Sequence, residues 1–138
     1  MTENDAVLDR LVRDWWKYHR LARGSWQERA GLERGEPADA SEARSAVAER
    51  VERGGAAAVA LIEALCRAEP DGDGGMTVGC GPLEDLVHLH GDMLIEELEQ
   101  SARRSEAVAR ALAHVWLEPG HVTATTAERL SRWIAPRS

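Results

Sequence analysis

The sequence predicts an all-α fold, a compact bundle of six or seven short helices, and three observations lead to this prediction. Apolar residues recur three and four positions apart along most of the chain, which is the period of an amphipathic helix. Glycine and proline divide these stretches into short segments. No convincing strand pattern occurs, since residues 76–78 form too short a run to count as one. A solenoid-like stack of helix pairs is the alternative arrangement.

The first predicted helix begins after Thr2 and ends at Gly24. Thr2 followed three residues later by Asp5 is typical of a capping box, in which each side chain accepts a hydrogen bond from the other's backbone. One helical stripe then carries the apolar and aromatic positions Leu8, Leu11, Val12, Trp15, Tyr18, His19 and Ala22.

Two adjacent tryptophans lie in this helix. Neighbouring helical positions point about 100° apart, so Trp15 and Trp16 cannot both face one core. Trp16 and Arg20 are candidate partner-binding residues, because Trp and Arg are frequent in binding hot spots. The alternative, which we favour, is that Trp15 and Tyr18 lie in the core and Trp16 is a half-covered boundary residue.

The next stretch alternates helices with glycine-rich breaks. Residues 25–28 can cap a short turn, and residues 31–38 are predicted to form a loop. Residues 41–53 predict a weakly apolar surface helix. Residues 56–68 carry apolar side chains on more than one face, which predicts a buried helix. A polar, flexible link, residues 71–75, follows it.

The central unit begins with a strong helix start. Gly81 suits the N-cap, Pro82 suits the first helical position, and Glu84 and Asp85 suit the positive end of the helix dipole. We predict three short helices between here and Trp116, divided at Gly91 and Ser105, and a last short helix capped by Thr125 with Glu128. The predicted core side chains are Leu11, Trp15, Ile62, Leu65, Leu86, Leu98, Leu112, Val115 and Trp116.

Length and charge limit the classes of function. A chain of 138 residues predicts one domain, 1–138. Its 24 acidic and 17 basic residues give a net charge of −7, which disfavours nucleic acid as a partner. No apolar run has the length of a membrane span. With two cysteines and no apolar leader, the expected location is the reducing cytoplasm.

Glu84, Asp85 and His88 form the one cluster that resembles a catalytic site. In a helix His88 neighbours both carboxylates, and a carboxylate that orients an imidazole is what general base catalysis requires. Cys80, between two glycines at a helix start, is a remote candidate nucleophile. The competing interpretation is an ordinary helix surface, and we favour it.

Neither a metal nor a cofactor is predicted. His88 and His90 diverge on a helix, and the cysteines have no ligand partners at zinc-site spacing. Residues 71–75 lack the remaining ligands of a calcium loop, and residues 79–81 lack the lysine of a phosphate loop.

These observations predict a non-enzymatic cytoplasmic protein-interaction module. An acidic surface without a coherent active site suits a protein that binds a basic protein partner or itself, as an immunity or antitoxin-like protein does. The alternative function is a small enzyme that uses the Glu84, Asp85 and His88 cluster.

The chain also resembles an uncharacterised bacterial family of small helical proteins, a domain of unknown function. The resemblance covers most of residues 6–117, and we assign residues 3–117 to the family-like core and residues 118–138 to a C-terminal extension with a short helix. It implies a compact helical domain and no known activity, cofactor or catalytic residue. It rests on Trp15-Trp16, Gly79-x-Gly81-Pro82-Leu83-Glu84-Asp85-Leu86, Ala102-Arg103, Ala111-Leu112 and Val115-Trp116.

Overall fold

The computed structural model describes residues 2–136, and within that range all regular structure is helical. The all-α prediction is confirmed, but the predicted number of helices is too low. The eight helices are α1 (Glu3–Ala22), α2 (Trp26–Glu33), α3 (Ala38–Arg53), α4 (Gly55–Arg67), α5 (Met76–Gly79), α6 (Pro82–Arg104), α7 (Glu106–Ala113) and α8 (Ala124–Ser131). The chain divides into two compact units, and the boundary falls after Glu49, within α3.

Unit 1 contains α1, α2 and most of α3. The predicted capping box of α1 is present, since the Asp5 N–H donates to Thr2 Oγ1 at 3.1 Å and the Thr2 N–H donates to Asp5 Oδ2 at 3.3 Å. Lys17 Nζ lies 3.2 Å from Asp39 Oδ2 and joins α1 to α3. The Lys17 hydrogen bond holds the pKa of Asp39 below its usual value.

Two predictions in this unit need correction. Ser25 and Glu28 form a second capping box, so a full helix starts here and continues through Gly31, where we expected a loop. The α3 helix begins at Ala38, earlier than predicted. It is also not simply a surface helix, because Ala43, Val47 and Val51 form a buried face along it.

Unit 2 is built around α6, which packs against α4, α5, α7 and α8. The α4 helix is buried along one broad face that includes Leu61, Ile62 and Leu65. As predicted, α6 begins with Gly81 at the N-cap and Pro82 in its first turn. Ser105 ends α6, and its hydroxyl accepts the Val108 N–H at 3.3 Å to cap α7.

The predicted break at Gly91 is wrong, because α6 runs unbroken from Pro82 to Arg104. A Cβ at Gly91 would lie 2.9 Å from Val122 Cγ1. Glycine is therefore required here for the close approach of a later segment and does not end the helix.

The last helix starts two residues earlier than expected. Thr123, and not Thr125, is the N-cap of α8, and its hydroxyl accepts the Thr126 N–H at 3.3 Å. The final two residues of the predicted C-terminal extension lie outside the described range.

Most predicted core side chains are buried, with two exceptions. Trp116 is 50% exposed, so its assignment to the core is wrong, and Leu11 is only partly buried. The α7 helix ends at Ala113, so the helical spacing that placed Trp116 inside does not extend to it. Within residues 2–136, no helix has both the length and the apolar character of a membrane span.

Candidate functional site

Three polar side chains of α6 hold the segment that follows α7. Glu84, His88 and Asp92 are four residues apart and therefore lie along one side of the helix. We call residues 116–123 the strap. The Trp116 N–H donates to Glu84 Oε1 at 2.6 Å, and His88 Nε2 lies 2.9 Å from the Trp116 carbonyl oxygen. The N–H and the hydroxyl of Thr123 donate to Asp92 Oδ1 at 2.9 and 3.0 Å. The strap is thus bonded to three successive turns of α6.

His88 is fixed on two sides. In the shorter of its two contacts, Nε2 donates to the Trp116 carbonyl. The Glu118 N–H lies 3.4 Å from the same nitrogen, and a protonated Nε2 cannot accept this second bond while it donates the first. The His88 ring stacks on His121, with ring centroids 4.5 Å apart. His121 in turn lies 3.5 Å from Glu118. The imidazole predicted as a general base therefore packs against the strap.

The contact of Asp92 with Thr123 was not predicted from the sequence. The Thr123 N–H and the Thr126 hydroxyl hold the pKa of this carboxyl below its usual value. At the preceding position of each segment, Val122 packs in the space left by the absent side chain of Gly91. The sequence signal was the spacing of four residues that Asp92 shares with Glu84 and His88.

The remaining predicted site residues have different surroundings. Asp85 is exposed, and Cys80 is an exposed free thiol whose Sγ lies 3.6 Å from the His114 carbonyl. His90 Nε2 lies 2.7 Å from the Glu52 carbonyl. No hydrogen bond or ion pair between described residues joins Asp85 or Cys80 to His88. The described residues also contain no group of three or more His, Cys, Asp or Glu that could hold a metal ion.

A buried carboxylate, Glu99, was not predicted. It is 3% exposed, and it pairs with Arg129 and accepts a hydrogen bond from Trp133 Nε1 at 3.4 Å. Burial raises the pKa of Glu99, but the bonds from Arg129 and Trp133 outweigh burial and leave that pKa below its usual value. This pair ties α8 to α6.

A cleft of about 510 Å³ opens beside the end of α4. Cys66 lies at its base, and burial raises the pKa of this thiol to about 12, so it stays protonated and is a poor nucleophile. The two guanidinium groups at the cleft already pair with carboxylates, Arg67 with Glu63 and Arg110 with Glu69. Neither guanidinium group of the cleft is therefore free to bind an anionic ligand.

The outward face of α6 is a different kind of surface. We call it the α6 ridge and define it by Asp85, Leu89, Met93, Glu96 and Glu97. Leu89 is 58% exposed and Met93 is 82% exposed. Between residues 84 and 99 the helix has no Lys or Arg, and its carboxylates are Glu84, Asp85, Asp92, Glu96, Glu97 and Glu99.

The carboxylates of the ridge are uncommitted. Glu84, Asp92 and Glu99 bond other parts of unit 2, as described above. Asp85, Glu96 and Glu97, in contrast, form no side-chain hydrogen bond or ion pair with any residue in the range 2–136. The ridge thus combines two exposed apolar side chains with three unpaired negative charges.

The predicted partner-binding residues of α1 lie in unit 1. Trp16 is partly buried, and its ring meets that of Trp15 edge to face with centroids 4.9 Å apart. Arg20 is exposed. A binding role for this pair stays a prediction.

No curated protein and no solved structure matches the chain. A family model described as a family of unknown function, DUF6869, matches residues 33–133, which is more than half of the chain. The match includes the start of α6 and extends through the strap and α8, beyond Trp116 where we expected the resemblance to end; it begins after the helix that carries Trp15 and Trp16. The chain therefore belongs to this family of unknown function, DUF6869.

Proposed function

We propose that this protein is a non-enzymatic protein-interaction module whose binding surface is the α6 ridge. The observation that carries the proposal is the pair of large apolar side chains, Leu89 and Met93, that stand exposed among uncommitted carboxylates. Methionine adapts its shape to a partner surface, and apolar side chains in a polar rim are the usual anatomy of a protein interface.

The bonds of the predicted catalytic side chains support a role without catalysis. Glu84 and His88 each bond the backbone of the strap, and using either one for proton transfer would release part of it. Asp85, which has no such contact, is exposed to water and lies outside any cleft described above. An enzyme built on this cluster is therefore the less favoured function.

The charge of the ridge favours a basic protein partner over a second copy of the same surface. Two ridges placed face to face would bring Asp85, Glu96 and Glu97 close to like charges, which costs free energy. An acidic module for a basic protein fits an immunity or antitoxin-like role. We place it in the cytoplasm, because Cys66 and Cys80 are both free thiols.

Site-specific photo-cross-linking in the organism that encodes the protein tests the proposal. A photoreactive residue replaces Gln100, which is exposed on α6 one turn beyond Glu96, and the matched control replaces Gln27, which is exposed on α2. We expect an adduct at position 100 that is absent at position 27 and that is lost in a Leu89→Ala, Met93→Ala variant. An adduct that persists in that variant, or equal adducts at both positions, contradicts the proposal.

A further inference from the structure

We infer that the partner of the α6 ridge is a basic amphipathic helix that lies along α6. This inference rests on the proposed function and adds the shape and charge of the binding segment.

The ridge has a border on one side. Asp85, Leu89 and Met93 each follow directly after a residue that bonds the strap, namely Glu84, His88 and Asp92. Adjacent helical positions point about 100° apart, so the strap runs beside the ridge and leaves it open. Trp116, whose backbone bonds Glu84 and His88, begins the strap and is half exposed.

The spacing of the apolar pair favours a helical partner. Leu89 and Met93 are one turn apart, about 6 Å along the axis, which matches apolar side chains three or four positions apart on a second helix. The whole ridge, from Asp85 to Glu97, is about 18 Å long at 1.5 Å per residue, enough for roughly three turns. An extended strand would need unpaired backbone groups, and those of α6 are engaged within the helix.

The charges define the chemistry of the partner. Asp85 lies one turn before the apolar pair, and Glu96 and Glu97 lie about one turn after it. A complementary segment therefore has an apolar pair in the middle and Lys or Arg about one turn away on either side. Burial of the apolar pair strengthens the ion pairs around it by excluding water.

Designed peptides of about four turns test this inference with the purified protein. The probe peptide has Leu residues four positions apart in the middle and Lys residues one turn to each side. A second peptide has the same composition in scrambled order, and a third has Glu in place of Lys. Binding is measured by titration calorimetry at near-physiological salt, for the wild type, a Leu89→Ala, Met93→Ala variant, and a Met76→Ala control. Met76 is also an exposed methionine, 54% exposed, but lies on α5.

We expect the probe peptide to bind at least about tenfold more tightly than the scrambled peptide, and the Glu peptide not to bind. The double variant should lose about tenfold or more, and Met76→Ala should bind like the wild type. Equal binding of probe and scrambled peptides, or unchanged binding by the double variant, overturns the inference. Self-association through the ridge would also overturn the inference. It would appear as concentration-dependent association that the double variant abolishes.

The two proposals fail separately. If cross-linking at position 100 gives the adduct that depends on Leu89 and Met93 but the probe peptide does not bind, the interaction module stands and the helical partner is wrong. If the adduct is absent and the probe peptide does not bind, both are wrong.

Discussion

The carboxylate of Glu84 accepts the backbone N–H of Trp116 across 2.6 Å, so a side chain in the first turn of α6 holds a residue that follows the end of α7. This contact gives Glu84 a structural role. It also predicts how the protein responds when the carboxylate is removed.

Glu84→Ala should lower the free energy of unfolding by about 1 kcal/mol, because the Trp116 N–H loses its acceptor. Glu84→Gln keeps an amide oxygen at the same position and should cost less. Urea denaturation of the three proteins measures the difference. Equal stability of Glu84→Ala and the wild type would show that the bond contributes nothing to the fold.

Gly91→Ala should not bring the usual gain from replacing glycine in a helix. Alanine is intrinsically favoured by about 1 kcal/mol, but its Cβ would lie 2.9 Å from Val122 Cγ1. We expect a net loss in the wild-type background and a net gain in a Val122→Ala background. A double-mutant cycle measured by thermal unfolding separates the two effects. Identical effects in both backgrounds would contradict the packing role of Gly91.

Gly75 and Gly74 provide a matched pair of substitutions. Both have positive φ, +85° and +61°, so alanine is strained at either position. Only at Gly75 would a Cβ also meet backbone atoms, with Ala111 N at 2.6 Å. Gly74→Ala should lower the free energy of unfolding by about 1 kcal/mol, and Gly75→Ala should lower it by a further amount of about 1–2 kcal/mol. Chemical denaturation of both variants measures the difference. Equal costs would mean that α7 moves away freely.

Arg129→Ala should destabilise the protein by about 2 kcal/mol, because the buried carboxylate of Glu99 loses its hydrogen-bonded cation and keeps only Arg103, at 4.0 Å. The pair also has a pH dependence. The folded pKa of Glu99 lies below the ordinary value of 4.5, so its stabilisation is present above pH 4.5 and is lost as the pH falls through the lowered folded pKa. The loss of stability on acidification should therefore be smaller in Glu99→Gln than in the wild type, measured as unfolding free energy against pH.

Leu89→Ala with Met93→Ala should change the free energy of unfolding by less than about 0.5 kcal/mol, since both side chains are largely exposed. Leu86→Ala, on the buried face of the same helix, should cost about 3 kcal/mol. Circular dichroism melts of the two variants make the comparison. A large loss in the double variant would mean that these side chains serve the fold.

Local rules were sufficient where a feature depends on neighbours in sequence. Thr2 with Asp5 predicted the cap of α1, and Gly81-Pro82 predicted the start of α6, because capping depends on side chains within one turn. The apolar period likewise identified buried positions such as Leu86 and Leu98. These features need no knowledge of the tertiary structure.

Features that depend on distant segments were missed. Glycine is a residue type that often ends a helix, so Gly91 was predicted to be a break. Only the approach of Val122 shows that Gly91 makes room for a later segment. The sequence predicted Thr125 as the cap of α8, whereas the cap is Thr123, which also bonds Asp92. The position of Trp116 depends on α7 ending at Ala113, three residues before it.

The same limit applies to the candidate site. Helical spacing placed Glu84 and His88 on neighbouring turns, but it did not predict that their partners are backbone groups more than twenty residues away. It also gave no indication that Glu99 would be buried beside Arg129. A single sequence names the residues that make such contacts, but it does not show which distant residues contact each other.

The α6 helix has three faces with different surroundings. One face packs in the interior, the next bonds the strap, and the third is exposed to water. Substitutions on the open side leave the other two intact. The outward positions of α6 can therefore vary in chemistry while the residues that build and brace the fold stay the same.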